Sequence, residues 1–370
     1  MPAGPDTPID TPDAFQRRAR YVVALVTATV VGLFVLWTTR EAILLVFLGV
    51  AIGVLFYHAS AWLAEKTGAP RGAALALIIL SVVGVIAVAG WFGGPRLLAE
   101  AGDLVEAGPE IAEAARARLG LPEGALSAGS AFGDIGGRML GWFSSAAGAL
   151  SGVLVVLVVA AYTAASPKRY TAAAVRLFDH DHQPFVRDML RDMGQTLLAW
   201  TRGVGISVAV LGTMALVGLT AIGVPGAFAL AAFAAALTVI PTFGPIIGWA
   251  PAVLVAFAEG TTMGTWTLAL AVVAQQIEGS IIEPKVQGEM VKVSPAFIVS
   301  GQIVLGALTG FLGILLVVPV LGVGLILVQR LYIGPFVEGE GPIPPPLAEE
   351  PAVHDAPNVV PHPSEVDGGG

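Results

Sequence analysis

The stretch PTFGPIIGWAPAVLVAF, residues 241–257, decides how this chain must fold. It is apolar enough to lie in a membrane, yet three prolines and two glycines interrupt it. Further on, residues 275–295 read QQIEGSIIEPKVQGEMVKVSP, which places Glu278 and Glu283 near the end of a predicted membrane helix. Helix breakers and carboxylates are costly inside a bilayer, so this region predicts something other than a plain membrane-spanning helix.

The composition indicates an integral membrane protein. Hydrophobic residues make up 55%, charged residues only 12%, and the mean hydropathy is +0.80, whereas soluble domains have about 45–50% apolar and about 25% charged residues. Residues 203–258 and 293–329 contain no Asp, Glu, Lys or Arg, and a membrane-crossing helix needs about 20 such residues. We therefore expect an all-α polytopic membrane protein whose partner is the lipid bilayer.

Several function classes are excluded or disfavoured. A net charge of -8 disfavours nucleic-acid binding. The absence of cysteine removes disulfides and thiolate catalysis. His180 and His182 flank Asp181 but have no third ligand in view, so they do not predict a metal site. No phosphate loop, nucleophile elbow or zinc-binding helix motif is present, and we expect neither an enzyme nor a cofactor.

The first half of the chain predicts four membrane spans in a permease domain that covers residues 21–335. Arg17, Arg18 and Arg20 precede the first apolar run, which favours a cytoplasmic N-terminal segment at residues 1–20. We interpret the pair Arg40 and Glu41 as a minimal outer turn before the second run. The four apolar runs cover residues 21–39, 42–57, 73–92 and 142–163.

Charge and periodicity assign the connecting segments. Residues 94–140 are rich in acidic residues and predict an outer loop that begins with an amphipathic helix. Residues 166–202 have an excess of Lys and Arg and predict a cytoplasmic loop with an amphipathic interfacial helix. Residues 336–370 form an acidic, Pro-rich tail, for which we expect disorder.

The number of membrane crossings constrains the second half. A fifth span ends outside near Val224, whereas the helix that begins at Gly264 must end inside if Lys285 and Lys292 are cytoplasmic. Residues 226–258 must therefore cross an even number of times, and each of their apolar pieces is short for a full crossing. This favours a broken or re-entrant hairpin.

The same argument applies to residues 295–329, where Gly306, Gly310 and Gly313 offer a point of bending or close packing. Two Gly/Pro-broken hairpins in the second half are typical of the working region of transporters. In total we predict about eight membrane segments.

Several spaced motifs stand in this half: GVP at 223–225, IPTFGP at 240–245, QQIEG at 275–279, IEPKV at 282–286, SP at 294–295 and GALTGFLGILLVVPV at 306–320. Together they resemble the autoinducer-2 exporter family of permeases. The resemblance implies a bacterial inner-membrane protein of about eight segments that exports small molecules and forms a homo-oligomer. Family members are linked to efflux of the furanone signal autoinducer-2, and some are similar to cation/proton antiporters.

Glu278 is the strongest candidate for a functional side chain. A carboxylate at membrane depth costs at least about 2.5–3.5 kcal/mol unless it faces protein or water. Glu278 is therefore either a proton- or cation-responsive group, or a structural carboxylate at a helix end. Candidate pathway or ion-coupling residues are Gln275, Gln276, Glu278, Glu283 and Lys285.

The helix breakers are candidate hinges or packing points. Pro284 ends the helix that carries Glu278, since proline cannot continue the hydrogen-bond ladder. Pro241, Gly244 and Pro245 predict either an unwound segment that lines a pathway or a tight surface turn. The glycines Gly306, Gly310 and Gly313 serve either close helix packing or a gating hinge.

Gln302 is a polar residue in an apolar run, and we interpret it as a packing hydrogen bond or a substrate contact. Three functions fit the whole sequence: a secondary exporter of a small polar solute, an Na⁺(Li⁺)/H⁺ antiporter, or a membrane scaffold without transport.

Overall fold

A computed structural model describes residues 12–120, 122, 146–282 and 294–337, with side chains described for residues 20–120, 122, 151–282 and 294–334. Residues 124–137 of the predicted outer loop, the tail after residue 337 and the candidates Glu283, Pro284 and Lys285 lie outside these ranges.

The described part of the chain is helical and has no strand. Short π-helical turns continue three helices, at Ala89–Gly93, Glu278–Ile282 and Gln329–Val337. The helices are α1 Pro12–Thr67, α2 Arg71–Val88, α3 Gly94–Glu106, α4 Gly108–Leu119, α5 Ala146–Ala165, α6 Pro167–Val175, α7 Gln183–Ile222, α8 Ala227–Leu237, α9 Gly244–Glu259, α10 Thr261–Ile277, α11 Pro295–Thr309, α12 Phe311–Leu315 and α13 Val317–Val328.

The predicted turn at Arg40 and Glu41 is wrong, because α1 is one uninterrupted helix of 56 residues. No proline or glycine stands in residues 33–48, so nothing breaks the hydrogen-bond ladder there. Arg40 stays in the helix: one guanidinium nitrogen donates to the carbonyl of Trp37 at 2.6 Å, and the group lies 4.3 Å from the centre of that indole ring.

Helices α1 and α5 pack side by side and run in the same direction. Gly49 lies against Val159 and Gly53 lies against Thr163, with a Cβ at either glycine only 2.7 Å from the opposing side chain. The C-terminal ends of both helices therefore lie together. We call this the basic end, since Lys66, Arg71, Lys168 and Arg169 follow or end these helices.

The opposite end of the molecule carries α3 and α4. Helix α2 starts at the basic end and continues through a π-helical turn into α3, forming one 36-residue helix. With Glu100, Asp103, Glu106, Glu110 and Glu113 on α3 and α4, we call this the acidic end. The helix predicted at the start of the outer loop is thus present, and a second helix follows it.

Helix α7 is the helix against which the other helices of the second half pack. Near the acidic end, Leu211, Ala215 and Leu219 are buried against α8, α9 and α10. In the middle of α7, Trp200 packs with Leu316. Close to its start, α7 is buried against the C-terminal part of α13.

The fold class of the prediction, an all-α polytopic membrane protein, is confirmed, whereas the number of eight segments is not. Three further apolar helices, α8, α9 and α11, are shorter than a membrane span. Among the described residues, four helices are long and apolar enough to cross a membrane, Arg20–Thr67, Arg71–Glu106, His180–Ile222 and Val317–Gly334, and the pair Ser151–Ala165 and Pro167–Val175, bent by 81°, makes a fifth if counted as one span.

Candidate functional site

The first predicted hairpin consists of α8 and α9, which we call hairpin 1. Its helices are antiparallel, since Gly248 faces Ala234 while Gly244 faces Leu237. They contain 11 and 16 residues, or about 16 and 24 Å, against about 30 Å for the hydrocarbon core of a bilayer. Hairpin 1 begins and ends at the acidic end, where α8 contacts α3 and α9 contacts α4.

The tip of hairpin 1 is a strained turn. The amide N–H of Phe243 donates to the carbonyl of Pro241 at 2.7 Å, and Thr242 between them has φ of 68°. A three-residue turn with positive φ at its centre is rare and strained, and a β-branched residue makes the conformation more unusual. The next residue is Gly244, and only glycine fits at this position, because a Cβ there would collide with the carbonyl oxygen of Leu237.

The second predicted hairpin, hairpin 2, consists of α11, α12 and α13. Its arms are antiparallel, since Gly306 faces Ile314 and Gly301 faces Val317. Its tip is Gly310, whose φ of 66° and ψ of -144° are open almost only to glycine. Gly313 packs against Leu305 and Thr309 across the same tip, so all three predicted hinge glycines lie there.

Hairpin 2 enters from the end opposite to hairpin 1. The C-terminal end of α13 lies at the start of α7, where Arg330 pairs with Asp192 at 2.6 Å. That part of α7 is at the basic end, because Val175 of α6 is buried against Phe185. The two hairpins therefore approach each other from opposite ends of the molecule.

Among the residues that the structure describes, a single side-chain hydrogen bond joins the hairpins. The amide nitrogen Nε2 of Gln302, in the middle of α11, donates to the carbonyl oxygen of Pro241 at 2.8 Å. The side chain of Gln302 is buried, with 5% exposed. Its other polar atom, Oε1, is also buried and has no hydrogen-bond partner among the described residues.

The base of hairpin 1 is held by α3 and α4. Glu100 accepts a hydrogen bond of 3.0 Å from the backbone N–H of Ala229 and pairs with Arg96 at 2.6 Å. Arg118 donates to the carbonyl of Phe257 at 3.0 Å and also to that of Ala258. An acidic group thus lies at the N-terminus of α8 and a basic group at the C-terminus of α9, which is the favourable arrangement at each helix end.

Sequence reasoning did not find these contacts at the acidic end. Each joins residues more than 100 positions apart, and no local pattern distinguishes Glu100 from the other acidic residues of α3 and α4. Glu113, for example, pairs only at the surface: the hydrogen bond from Arg116 lowers the pKa of the Glu113 carboxyl.

The polar candidates near residue 278 lie elsewhere, at the end of α10. This helix ends at Ile277, and Glu278 begins a π-helical turn that packs against α7. Glu278 and Gln275 are half-buried and Gln276 is exposed. The amide nitrogen of Gln275 is buried without a hydrogen-bond partner among the described residues. Local π-helical turns occur frequently at functional sites.

No group of three or more His, Cys, Asp or Glu side chains in the described ranges is placed to hold a metal ion. His180 and His182 lie in an exposed turn before α7. The structure thus brings together Pro241, Gly244 and Gln302, and places Gln275 and Glu278 at a separate helix end.

Comparison with known proteins shows the family. A family model described as "AI-2E family transporter" matches residues 26–333. The chain belongs to the AI-2E family. The resemblance noted from the spaced motifs is therefore confirmed, and this AI-2E family member is a multi-pass membrane protein.

Curated relatives of this AI-2E family member are named for transport. It is 28% identical over 171 residues to "Putative transport protein YueF" of Bacillus subtilis (strain 168), covering 46% of each chain. It is 31% identical over 130 residues to "Putative transport protein YrrI" of the same organism, covering 35% of this chain and 37% of the relative. A Mycobacterium tuberculosis (strain CDC 1551 / Oshkosh) protein, "Putative transport protein MT0215", is 30% identical over 139 residues, 36% of this chain and 38% of that one. The matches thus span less than half of each relative.

Proposed function

We propose that this protein is a secondary transporter of the bacterial inner membrane, not an enzyme, and that it exports a small polar solute along the contact between the two hairpins. One observation carries the proposal: hairpins from opposite ends of the molecule meet at Pro241 and Gln302. Paired Gly/Pro-broken segments of this kind surround the substrate sites of many secondary transporters. Membership of the AI-2E family supports the same function.

The local chemistry supports a polar solute. Within hairpins 1 and 2, residues 227–259 and 295–328, the only charged side chain is Glu259 at the acidic end, so recognition rests on backbone groups and neutral side chains. The buried oxygen of Gln302 accepts no hydrogen bond from the described residues and can receive one from a solute hydroxyl. Autoinducer-2, a small furanone, is the first substrate to test, on the strength of the family.

Glu278 is the proposed coupling residue, with Gln275, Gln276, Glu283 and Lys285 as its neighbours in sequence. A half-buried carboxylate at a helix end responds to proton or cation binding if it faces the pathway. The exposed Gln276 is the weakest member of this set.

The proposed orientation places the basic end in the cytoplasm, following the positive-inside tendency. Arg17, Arg18 and Arg20 favour the cytoplasm for the N-terminus as well, whereas the uninterrupted α1 places residue 12 at the opposite end of the helix from the basic end. We also propose a homo-oligomer. Every described side chain in residues 20–39 of α1 is exposed, and this apolar surface suits contact with lipid and with neighbouring copies.

Efflux of autoinducer-2 from proteoliposomes tests the function. The full-length protein is compared with Glu278→Gln and Glu278→Ala, and with Glu259→Gln as a matched control, because Glu259 is exposed at the acidic end. We expect both Glu278 variants to slow efflux or shift its pH dependence while the control behaves as the native protein.

The outcomes separate the alternatives. Absence of autoinducer-2 efflux contradicts this substrate. Collapse of a preset pH gradient on addition of sodium or lithium, without autoinducer-2 efflux, identifies cation/proton exchange instead. Unchanged efflux in both folded Glu278 variants removes Glu278 from the mechanism.

A further inference from the structure

The two ends of hairpin 1 are held very differently. At its base, the carboxylate of Glu100 and the guanidinium of Arg118 make hydrogen bonds to the backbone. At its tip, the bond from Gln302 to Pro241 is made by a neutral amide. Hydrogen bonds that involve a charged group are stronger than neutral ones, so the side-chain hydrogen bond at the tip is weaker than those at the base.

The tip is also strained in the position that the structure shows. Thr242 has a positive φ, and both Thr242 and Phe243 are exposed. Strained backbone persists only where the surroundings hold it in place, and such strain is common at switch regions. Since the carbonyl of Pro241 takes part in both the strained turn and the bond to Gln302, loss of that bond removes one restraint on the turn.

The described helices that form the two hairpins bring no ionisable competitor close to Gln302. Residues 227–243 and 294–329, which include α8, the tip, α11, α12 and α13, contain no Asp, Glu, Lys, Arg or His, and the only such residue in α9 is Glu259 at the far end of that helix. The partner of Pro241 is thus set by hydrogen-bond geometry alone.

We propose that Gln302 is a latch: a positioning residue whose amide holds the tip of hairpin 1 closed against hairpin 2, and whose release opens the path between them. The role of this opening in solute passage rests on the transport function proposed above. The latch itself is a property of the fold and is tested without any transported solute.

The first test measures access to the tip. The chain has no cysteine, so a single Ile240→Cys beside the tip reports on it, because Ile240 is buried in the closed arrangement, with 7% exposed. The matched control is Ala252→Cys, because Ala252 is fully buried in α9 against α7. The full-length protein is labelled in detergent with N-ethylmaleimide, with and without Gln302→Leu.

We expect Gln302→Leu to speed labelling of Ile240→Cys by about 2- to 10-fold, the change in population that follows from losing one neutral hydrogen bond. Labelling of Ala252→Cys stays slow. Equal labelling of Ile240→Cys with and without Gln302→Leu overturns the latch.

The second test uses Gln302→Glu, which keeps the size of the side chain. A protonated carboxyl donates to the Pro241 carbonyl as the amide does, whereas a carboxylate cannot donate. We expect slow labelling of Ile240→Cys at about pH 5 and fast labelling at about pH 9, and the change should be reversible. At each pH, the labelling rate is compared with that of the same cysteine in the protein with native Gln302. A purely structural glutamine would give no such reversible change, and its absence overturns the proposal.

The second test also keeps the proposal testable if the Gln302→Leu variant does not fold. If Gln302→Leu exposes Ala252→Cys as well, the Gln302→Glu result decides alone. Loss of autoinducer-2 efflux in proteoliposomes with normal latch behaviour contradicts the proposed function and leaves the latch intact.

Discussion

Gly310 is constrained by its backbone conformation. Its φ of 66° and ψ of -144° allow the reversal between α11 and α12, and a residue with a Cβ held in such a conformation costs about 1–3 kcal/mol. Gly310→Ala should therefore lower the Tm of the purified protein. The matched control is Gly324→Ala in α13, where a Cβ would meet nothing within 4 Å and alanine is the better helix former.

An unchanged Tm in Gly310→Ala would show that hairpin 2 reverses through another conformation. A lowered Tm in Gly324→Ala would show that the measurement reports general damage to α13 and not the tip.

Residue-scale inference from sequence worked for chain reversals and failed for contacts. Gly310, Gly244 and Pro241 lie at turns, since glycine tolerates unusual backbone angles and proline disfavours the helix interior, although Pro251 lies within α9. The partner of Gln302 lies 61 residues away, and no local pattern identifies it. The sequence leaves two interpretations of Gln302 open, a packing hydrogen bond or a solute contact. Both are compatible with the structure, in which Nε2 is hydrogen-bonded and Oε1 has no partner among the described residues.

At the scale of elements, one carboxylate of α3 caps the first helix of hairpin 1. Glu100 supplies the acceptor for the N-terminus of α8, where Gly226 has no side chain to do so. Loss of such a cap costs about 1 kcal/mol. Glu100→Ala should thus increase hydrogen exchange in the first turn of α8, measured by mass spectrometry.

Glu113→Ala is the matched control for this prediction. Glu113 also pairs with an arginine of its own helix, Arg116, but it is exposed and reaches no other helix in the described contacts. We expect its removal to leave exchange in α8 unchanged. Equal exchange in both variants would show that Glu100 does not hold the hairpin.

The elements themselves were predicted with mixed success. Counting crossings led to both hairpins, because charge-free segments that start and end on one side must reverse inside the membrane. The break in α1 was wrong because the pair Arg40 and Glu41 was given the weight of a helix breaker, although both residue types are good helix formers. The docking of α3 and α4 on hairpin 1 depends on three-dimensional neighbours that sequence does not show.

At the scale of the whole molecule, the distribution of charge predicts the orientation in the membrane. The basic end should face the cytoplasm and the acidic end the outside. Single cysteines at Glu65, Glu110 and Gln16 test this in a chain with no cysteine of its own. A membrane-impermeant maleimide is applied to spheroplasts, which expose the outer face, and to inverted membrane vesicles, which expose the cytoplasmic face.

Glu65→Cys should be labelled only in inverted vesicles and Glu110→Cys only in spheroplasts, since these residues lie at the basic and acidic ends. Arg17, Arg18 and Arg20 predict that Gln16→Cys behaves like Glu65→Cys. Labelling of Gln16→Cys from the outside is the result that an uninterrupted α1 would give, because α1 runs from residue 12 towards the basic end. That outcome would contradict the cytoplasmic N-terminus alone, whereas exchange of the Glu65→Cys and Glu110→Cys results would invert the whole molecule and with it the proposed direction of export.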